Sequence, residues 1–257
     1  MAVRLEKQDS IGHIVLDRPP ANSYDRAFME ELDAAIDEAR RDDGVKAILV
    51  RSALERFFSA GADVSVFAKS DMDAQNAFVV CANEAIAKLE SAPKVVVAAI
   101  GGHCLGGGLE IALCCDFRVA AEGSYKIGLP EVTLGLLPGT GGTQRLPRLI
   151  GRQKALDLML RGTTLSPREA LAAGIVDELV PAGELLDRAL ERVRAYATGP
   201  TYAIGQIKLA AARGTGMTLS EGLAFERQAL LRVFGSEDAR EGVTAFVEKR
   251  KPSYKGR

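Results

Sequence analysis

The sequence predicts a mixed α/β fold, with strands concentrated before about residue 180 and a helical end beyond them. Three observations predict it. Short apolar runs such as Val95–Ile100 have the length and β-branched content of buried strands. Between such runs, apolar residues recur at helical spacing, as in Phe28, Leu32, Ile36 and Ala39. After Thr198-Gly199-Pro200, three further amphipathic stretches follow with no strand among them.

Taken in order, residues 11–17 read as a short strand, stopped by Arg18-Pro19-Pro20-Ala21-Asn22 because proline donates no ladder hydrogen bond. Asp25 is a suitable N-cap for the helix that follows. Residues 45–50 form a buried strand leading into the small-residue loop Phe58-Ser59-Ala60-Gly61-Ala62-Asp63. Ala74, Phe78, Cys81, Ala85 and Leu89 trace a second amphipathic helix, which Pro93 ends before the strand Val95–Ile100. A glycine-rich turn, residues 101–108, then opens onto a helical stretch at 109–115. Strand-like pieces at Phe117–Ala121 and 124–127 precede a second glycine-rich turn at 138–142, after which the chain is mostly helical. The final helices are expected at 202–212, Leu219–Phe234 and 237–248. Their apolar positions, among them Leu219, Leu223, Leu230, Phe234, Val243 and Phe246, require a partner surface.

Composition narrows the function. The 257 residues are 47% apolar and 26% charged, as in ordinary globular domains. With 33 basic against 34 acidic side chains there is no overall field to attract nucleic acid or a membrane surface, so an anionic ligand must be met locally. No stretch approaches the ~20 apolar residues of a membrane span, and Met1-Ala2-Val3-Arg4-Leu5-Glu6 does not resemble a signal peptide. A cytoplasmic protein is expected. The four cysteines match neither a disulfide framework nor a CxxC metal site, and His13 and His103 are too few for a histidine-rich one. No metal and no cofactor are expected.

The glycines at 101–108 do not fall at G-x-G-x-x-G spacing and no G-K-[ST] follows, which argues against a nucleotide loop. Three consecutive glycines at a helix start allow close backbone approach by a ligand, with unpaired N–H groups and the positive helix end aimed at it. That describes an oxyanion site; it equally describes a tight packing turn. Glu110, three residues after Gly107, reads either as a group facing the reacting carbon or as a first-turn glutamate complementing the helix dipole. Glu131, after Gly128-Leu129-Pro130, reads alone as a loop charge.

Three motifs occur together and in order: F-S-A-G-A-D at 58–63, G-H-C-L-G-G-G-L-E at 102–110, and L-P-E-V-T-L-G-L-L-P-G-T-G-G-T-Q-R-L at 129–146. In combination they resemble the crotonase, or enoyl-CoA hydratase, family, and the likeness runs from Leu16-Asp17-Arg18-Pro19 to the C-terminal residues 245–251. The resemblance implies a spiral of ββα units over residues 1–198, a C-terminal helical trimerisation region at 199–257, and a homotrimer or a homohexamer built from two trimers. It further implies an acyl-CoA thioester substrate, whose carbonyl oxygen is bound by the backbone N–H groups of Ala62 and Gly107. Glu110 and Glu131 match the family's two hydratase glutamates, with Glu110 the water-activating base and Glu131 the acid toward the α-carbon. The implied coenzyme A contacts are Arg56, Ala60, Ala62, Asp63, Val64, Gly107 and Lys249. By charge alone, the C-terminal tail with Lys249, Arg250, Lys251, Lys255 and Arg257 serves equally as a solvated tail or as a phosphate contact.

Isomerases of this fold keep a carboxylate matching Glu131 and lack one matching Glu110, so the pair favours hydration over a Δ3,Δ2-enoyl-CoA isomerase. A non-catalytic acyl-CoA or RNA binder is the alternative from another class. The acidic residues Asp25, Glu30, Glu31, Asp33, Asp37 and Glu38 on the first long helix argue against RNA.

Overall fold

The computed structural model describes residues 1–68 and 70–257. In chain order its strands are Val3–Gln8 (β1), Ile11–Leu16 (β2), Ala47–Ser52 (β3), Phe57–Ser59 (β4), Val95–Ile100 (β5), His103–Leu105 (β6), Phe117–Ala121 (β7), Ile127–Gly128 (β8), Thr164–Leu165 (β9) and Glu178–Val180 (β10). The helices are Arg26–Arg41 (α1), Val64–Phe67 (α2), Met72–Glu90 (α3), Gly107–Leu113 (α4), Gly142–Ile150 (α5), Arg152–Arg161 (α6), Pro167–Ala173 (α7), Leu185–Ala197 (α8), Thr201–Gly214 (α9), Leu219–Phe234 (α10) and Glu237–Val247 (α11).

One sheet runs β1-β2-β3-β5-β7-β10 and a second runs β4-β6-β8-β9. Only the β1–β2 hairpin is antiparallel in the first; β9 is antiparallel in the second. From β3 to β8 the chain alternates between the sheets, and each pair of strands is followed by helix. This is the spiral of ββα units that the motif resemblance implies.

Alternation along the parallel strands explains why both faces are apolar. Ile48 and Val50 of β3, with Val96, Ala98 and Ile100 of β5, face a core shared with α1, α3 and α4. Their sequence neighbours Ala47, Leu49, Val95, Val97 and Ala99 face a second core closed by Ala189, Val193 and Ala197 of α8. A strand buried on both faces reads as a continuous apolar run, as β5 does. Helix α1 begins where expected: the Asp25 side chain accepts the Phe28 N–H at 3.0 Å.

Strands β1, β4, β6, β9 and β10 escaped the sequence reading. In β1, Val3 and Leu5 alternate with Arg4 and Glu6, a signal confined to six residues. Strand β6 lies inside the glycine-rich stretch and has three residues, too few to show a period. All four cysteines are free, and three are buried. Among the described residues no helix is long and apolar enough to cross a membrane.

Helices α9 to α11 follow the strand-bearing part and reach it chiefly through α9. Gly205 presses on the Pro93 carbonyl, leaving no space for a Cβ. Lys208, almost wholly buried, donates to the carbonyls of Leu89 and Lys94, each at 3.0 Å, and pairs with Asp116 at 2.8 Å. Elsewhere these helices leave large apolar side chains in the open: Phe234 is 66% and Phe246 83% exposed. The terminal residues fold back onto α11, where buried Asp238 accepts the N–H groups of Lys255 and Gly256 at 2.7 and 2.8 Å.

Lys208→Met is expected to lower stability by about 2–3 kcal/mol, because Asp116 loses its charged partner in a mostly buried site. Urea unfolding checks this, and Asp116→Asn added to Lys208→Met should recover part of the loss.

Candidate active site

Strand β6 delivers the chain to α4 through Gly106, whose φ of +55° suits glycine. No side chain caps this helix. The first N–H groups of α4 are therefore unpaired by the helix itself, and that of Gly107 has no acceptor among the described residues. Gly61 lies close by, so that a Cβ on it would stand 2.8 Å from the Gly107 nitrogen. Next to Gly61, Ala62 forms a parallel bridge with Tyr24, using the Gly61 carbonyl and the Asp63 N–H. The N–H of Ala62 is left on the other edge, again with no acceptor among the described residues. Two free backbone donors from separate loops thus meet at the start of α4.

Glu110 lies on the same first turn and is 2% exposed. Its Oε1 accepts the N–H groups of Thr140 and Gly142 at 2.8 and 2.7 Å, and its Oε2 accepts the Thr140 hydroxyl. Burial raises its pKa above the ordinary carboxylate value, while these donors and the nearby Arg145 act in the opposite direction. Arg145 is itself fixed by Glu90 at 2.9 Å and by the Thr140 carbonyl at 3.1 Å.

Glu131 begins a 3₁₀ turn, Glu131–Leu134, after Pro130. Its Oε1 stands against Gly106, where a Cβ would approach it to 3.2 Å. Its buried Oε2 has no hydrogen-bond partner among the described residues. Burial pushes this carboxyl up to about 7, and the neighbouring charge of Glu110 adds to the rise. One carboxyl is held by three donors from another loop, while the other leaves its buried Oε2 without a partner among the described residues, so the two are suited to different proton-transfer tasks near neutral pH.

Both carboxyls line one cavity of about 670 Å³, together with Ala62 and Gly107. Ala60 and Val64 also line it, whereas Arg56, Asp63 and Lys249 do not. Arg56 borders a separate depression of about 280 Å³ beside His103 and Tyr125. Asp63 caps α2 by accepting the Ser65 N–H at 3.0 Å. Lys249 is exposed just past α11, in a left-handed conformation with φ of +55°.

The sequence profile of the enoyl-CoA hydratase/isomerase family matches residues 6–257. The chain belongs to that family. It is 40% identical over 255 residues to a probable enoyl-CoA hydratase of Rhizobium meliloti, covering 98% of this chain and 97% of that one. It is 37% identical over 250 residues to a short-chain-enoyl-CoA hydratase of Clostridium acetobutylicum, covering 97% and 95% of the two chains. The crystal structure of an enoyl-CoA hydratase from Geobacillus kaustophilus superposes with a TM-score of 0.97 at 44% identity, covering 100% of this chain and 97% of that one.

Three residues that build this family member's site were not singled out from the sequence: Tyr24, Thr140 and Gly142. Tyr24 is 2% exposed, its ring packs on Phe28 and Phe78, and its hydroxyl occupies the space a Gly107 Cβ would need. Thr140 and Gly142 lie in the second glycine-rich turn, which was visible as a turn but carried no sign of its partner.

In carbon-13 NMR of labelled glutamate, Glu131 is expected to titrate near 7, and Glu110→Gln is expected to lower that value. A carboxyl raised on folding favours the native state while protonated. That contribution is lost as pH rises from the ordinary 4.5 through about 7. Thermal melts should accordingly show Glu131→Gln gaining on the unaltered protein across this window.

Proposed function

We propose that this protein hydrates a trans-2-enoyl-CoA to a 3-hydroxyacyl-CoA, without a cofactor. The observation that carries the reading is the meeting of the buried Glu110 carboxyl and the half-buried Glu131 carboxyl with the N–H groups of Ala62 and Gly107, which have no acceptor among the described residues, in one cavity. Adding water across a conjugated thioester moves an electron pair onto the carbonyl oxygen. In this reading the two N–H groups form the oxyanion hole and meet that charge. Glu110 takes a proton from the attacking water as its oxygen bonds to the β-carbon, and Glu131 delivers a proton to the α-carbon as the enolate collapses. A carboxyl with a pKa of about 7 is protonated often enough at neutral pH to serve as that acid. Two carboxyls acting on one water titrate as a pair, so the roles belong to the pair as much as to either member.

The names of the Rhizobium and Clostridium relatives agree with this activity. In the same reading Ala60, Val64 and Asp63 border the path of the pantetheine arm, while Arg56 and Lys249 meet coenzyme A phosphates. The exposed apolar faces of α10 and α11 make a homotrimer or homohexamer, since patches of this kind mark protein interfaces.

Turnover is read from loss of the conjugated thioester's ultraviolet absorbance with crotonyl-CoA. Glu110→Gln and Glu131→Gln should each lower kcat by roughly 10²-fold or more, because each removes a proton transfer and preserves shape. Calorimetric binding of acyl-CoA should change little. Near-normal turnover in either variant overturns the two-carboxylate mechanism.

Phe234→Asp combined with Phe246→Asp should dissociate the assembly in sedimentation velocity. Sedimentation as a monomer by the unaltered protein would remove the oligomer from the reading.

A further inference from the structure

Glu110 is held by three donors, and two of them are backbone N–H groups that nearly any residue at 140 and 142 supplies. The third, the Thr140 hydroxyl, depends on the side chain. A hydroxyl has one proton to give and lone pairs to accept with. Since the Thr140 proton is directed at Glu110, its oxygen is left as an acceptor. The Tyr24 phenol lines the same cavity as Thr140 and Glu110. Burial holds that phenol protonated far above its ordinary range, so it remains a donor at every working pH.

We propose that Thr140 is a positioning residue whose hydroxyl, donated to Glu110, keeps that carboxylate ionised and in place for the attacking water. The inference rests on the reading of Glu110 as the base. The hydrogen bond from the Thr140 hydroxyl to Glu110 is electrostatically stronger in a site with little water than it would be at the surface. A carboxylate in this degree of burial would otherwise tend to take up a proton, which would disable it as a base. The other groups facing Glu110 leave this task to Thr140. Glu131, across the cavity, is of the same charge type, and the Cys114 thiol at the end of α4 is kept protonated by burial. Arg145 of α5 assists, but its charge is shared with Glu90.

The test is the pH dependence of Thr140→Val, which keeps the volume and both backbone donors while removing the hydroxyl. Its kcat/KM for crotonyl-CoA should fall about tenfold at acidic pH and recover toward alkaline pH, since one hydrogen bond to a charged group is worth about a tenfold change in ionisation. Thr140→Ser should restore the profile of the unaltered protein. Carbon-13 NMR of Glu110, assigned by its loss in Glu110→Gln, follows the same ionisation without turnover. An upward move of the Glu110 titration in Thr140→Val supports the inference. An unmoved titration in the folded variant overturns it, whereas absence of turnover in the unaltered protein overturns the hydratase reading instead.

Discussion

A carboxyl placed almost out of water at the head of α4 constrains much of what surrounds it. Glu110 is stable there only if donors reach both its oxygens, because burying an unpaired charge costs several kcal/mol or shifts the group to its neutral form. Its own helix has none to give at that point. They come instead from Thr140 and Gly142, about 30 residues on, and so α4 must stay against the turn that starts α5. The smaller sheet holds that spacing: β6 leads into α4, β8 leads toward the 138–142 turn, and the two strands pair at Cys104–Ile127 and Leu105–Gly128. The alternation between sheets follows from the same requirement, since each return to the smaller sheet brings another loop to this point.

The two carboxyls differ both in burial and in the donors they meet: Glu110 is buried, whereas Glu131 is half-buried. Glu110 meets a full set of donors, and Glu131 presents a buried oxygen that meets none. An unsatisfied polar atom in a cavity wall is tolerated where a ligand will complete it. In the hydratase reading proposed above, the reacting end of the thioester is that ligand.

Much of the fold was legible because the signals were long. The apolar run of β5, the Asp25-capped α1 and the stripe of α10 each extend over enough residues to show a period or a cap. Strands β1 and β6 were not, being short or masked by glycine. At the site, Glu110, Glu131, Ala62 and Gly107 stood in motifs that resemble a known pattern, and the fold brings all four to one cavity. Tyr24 stood outside those motifs, and Thr140 stood inside one without being marked out from its neighbours. Their importance lies in contacts between distant parts of the chain, which one sequence does not display. Arg56, Asp63 and Lys249 do not line that cavity, so their part in binding rests on the motif resemblance alone.

Helix α3 divides its labour along its length. Ala82, Ala85, Ile86 and Leu89 are buried in the core, while Met72, Gln75 and Asn76, at its start, line the cavity. Leu134 and Leu137 line the same cavity and are 60% and 66% exposed. None of these lining residues donates to Glu110. Mutational drift in the lining therefore meets little penalty in stability or in the proton-handling groups. Such a scaffold can diversify by altering which acyl groups it admits while its chemistry stays constant, and a lineage of duplicated genes could part company in substrate before any of them parted in reaction.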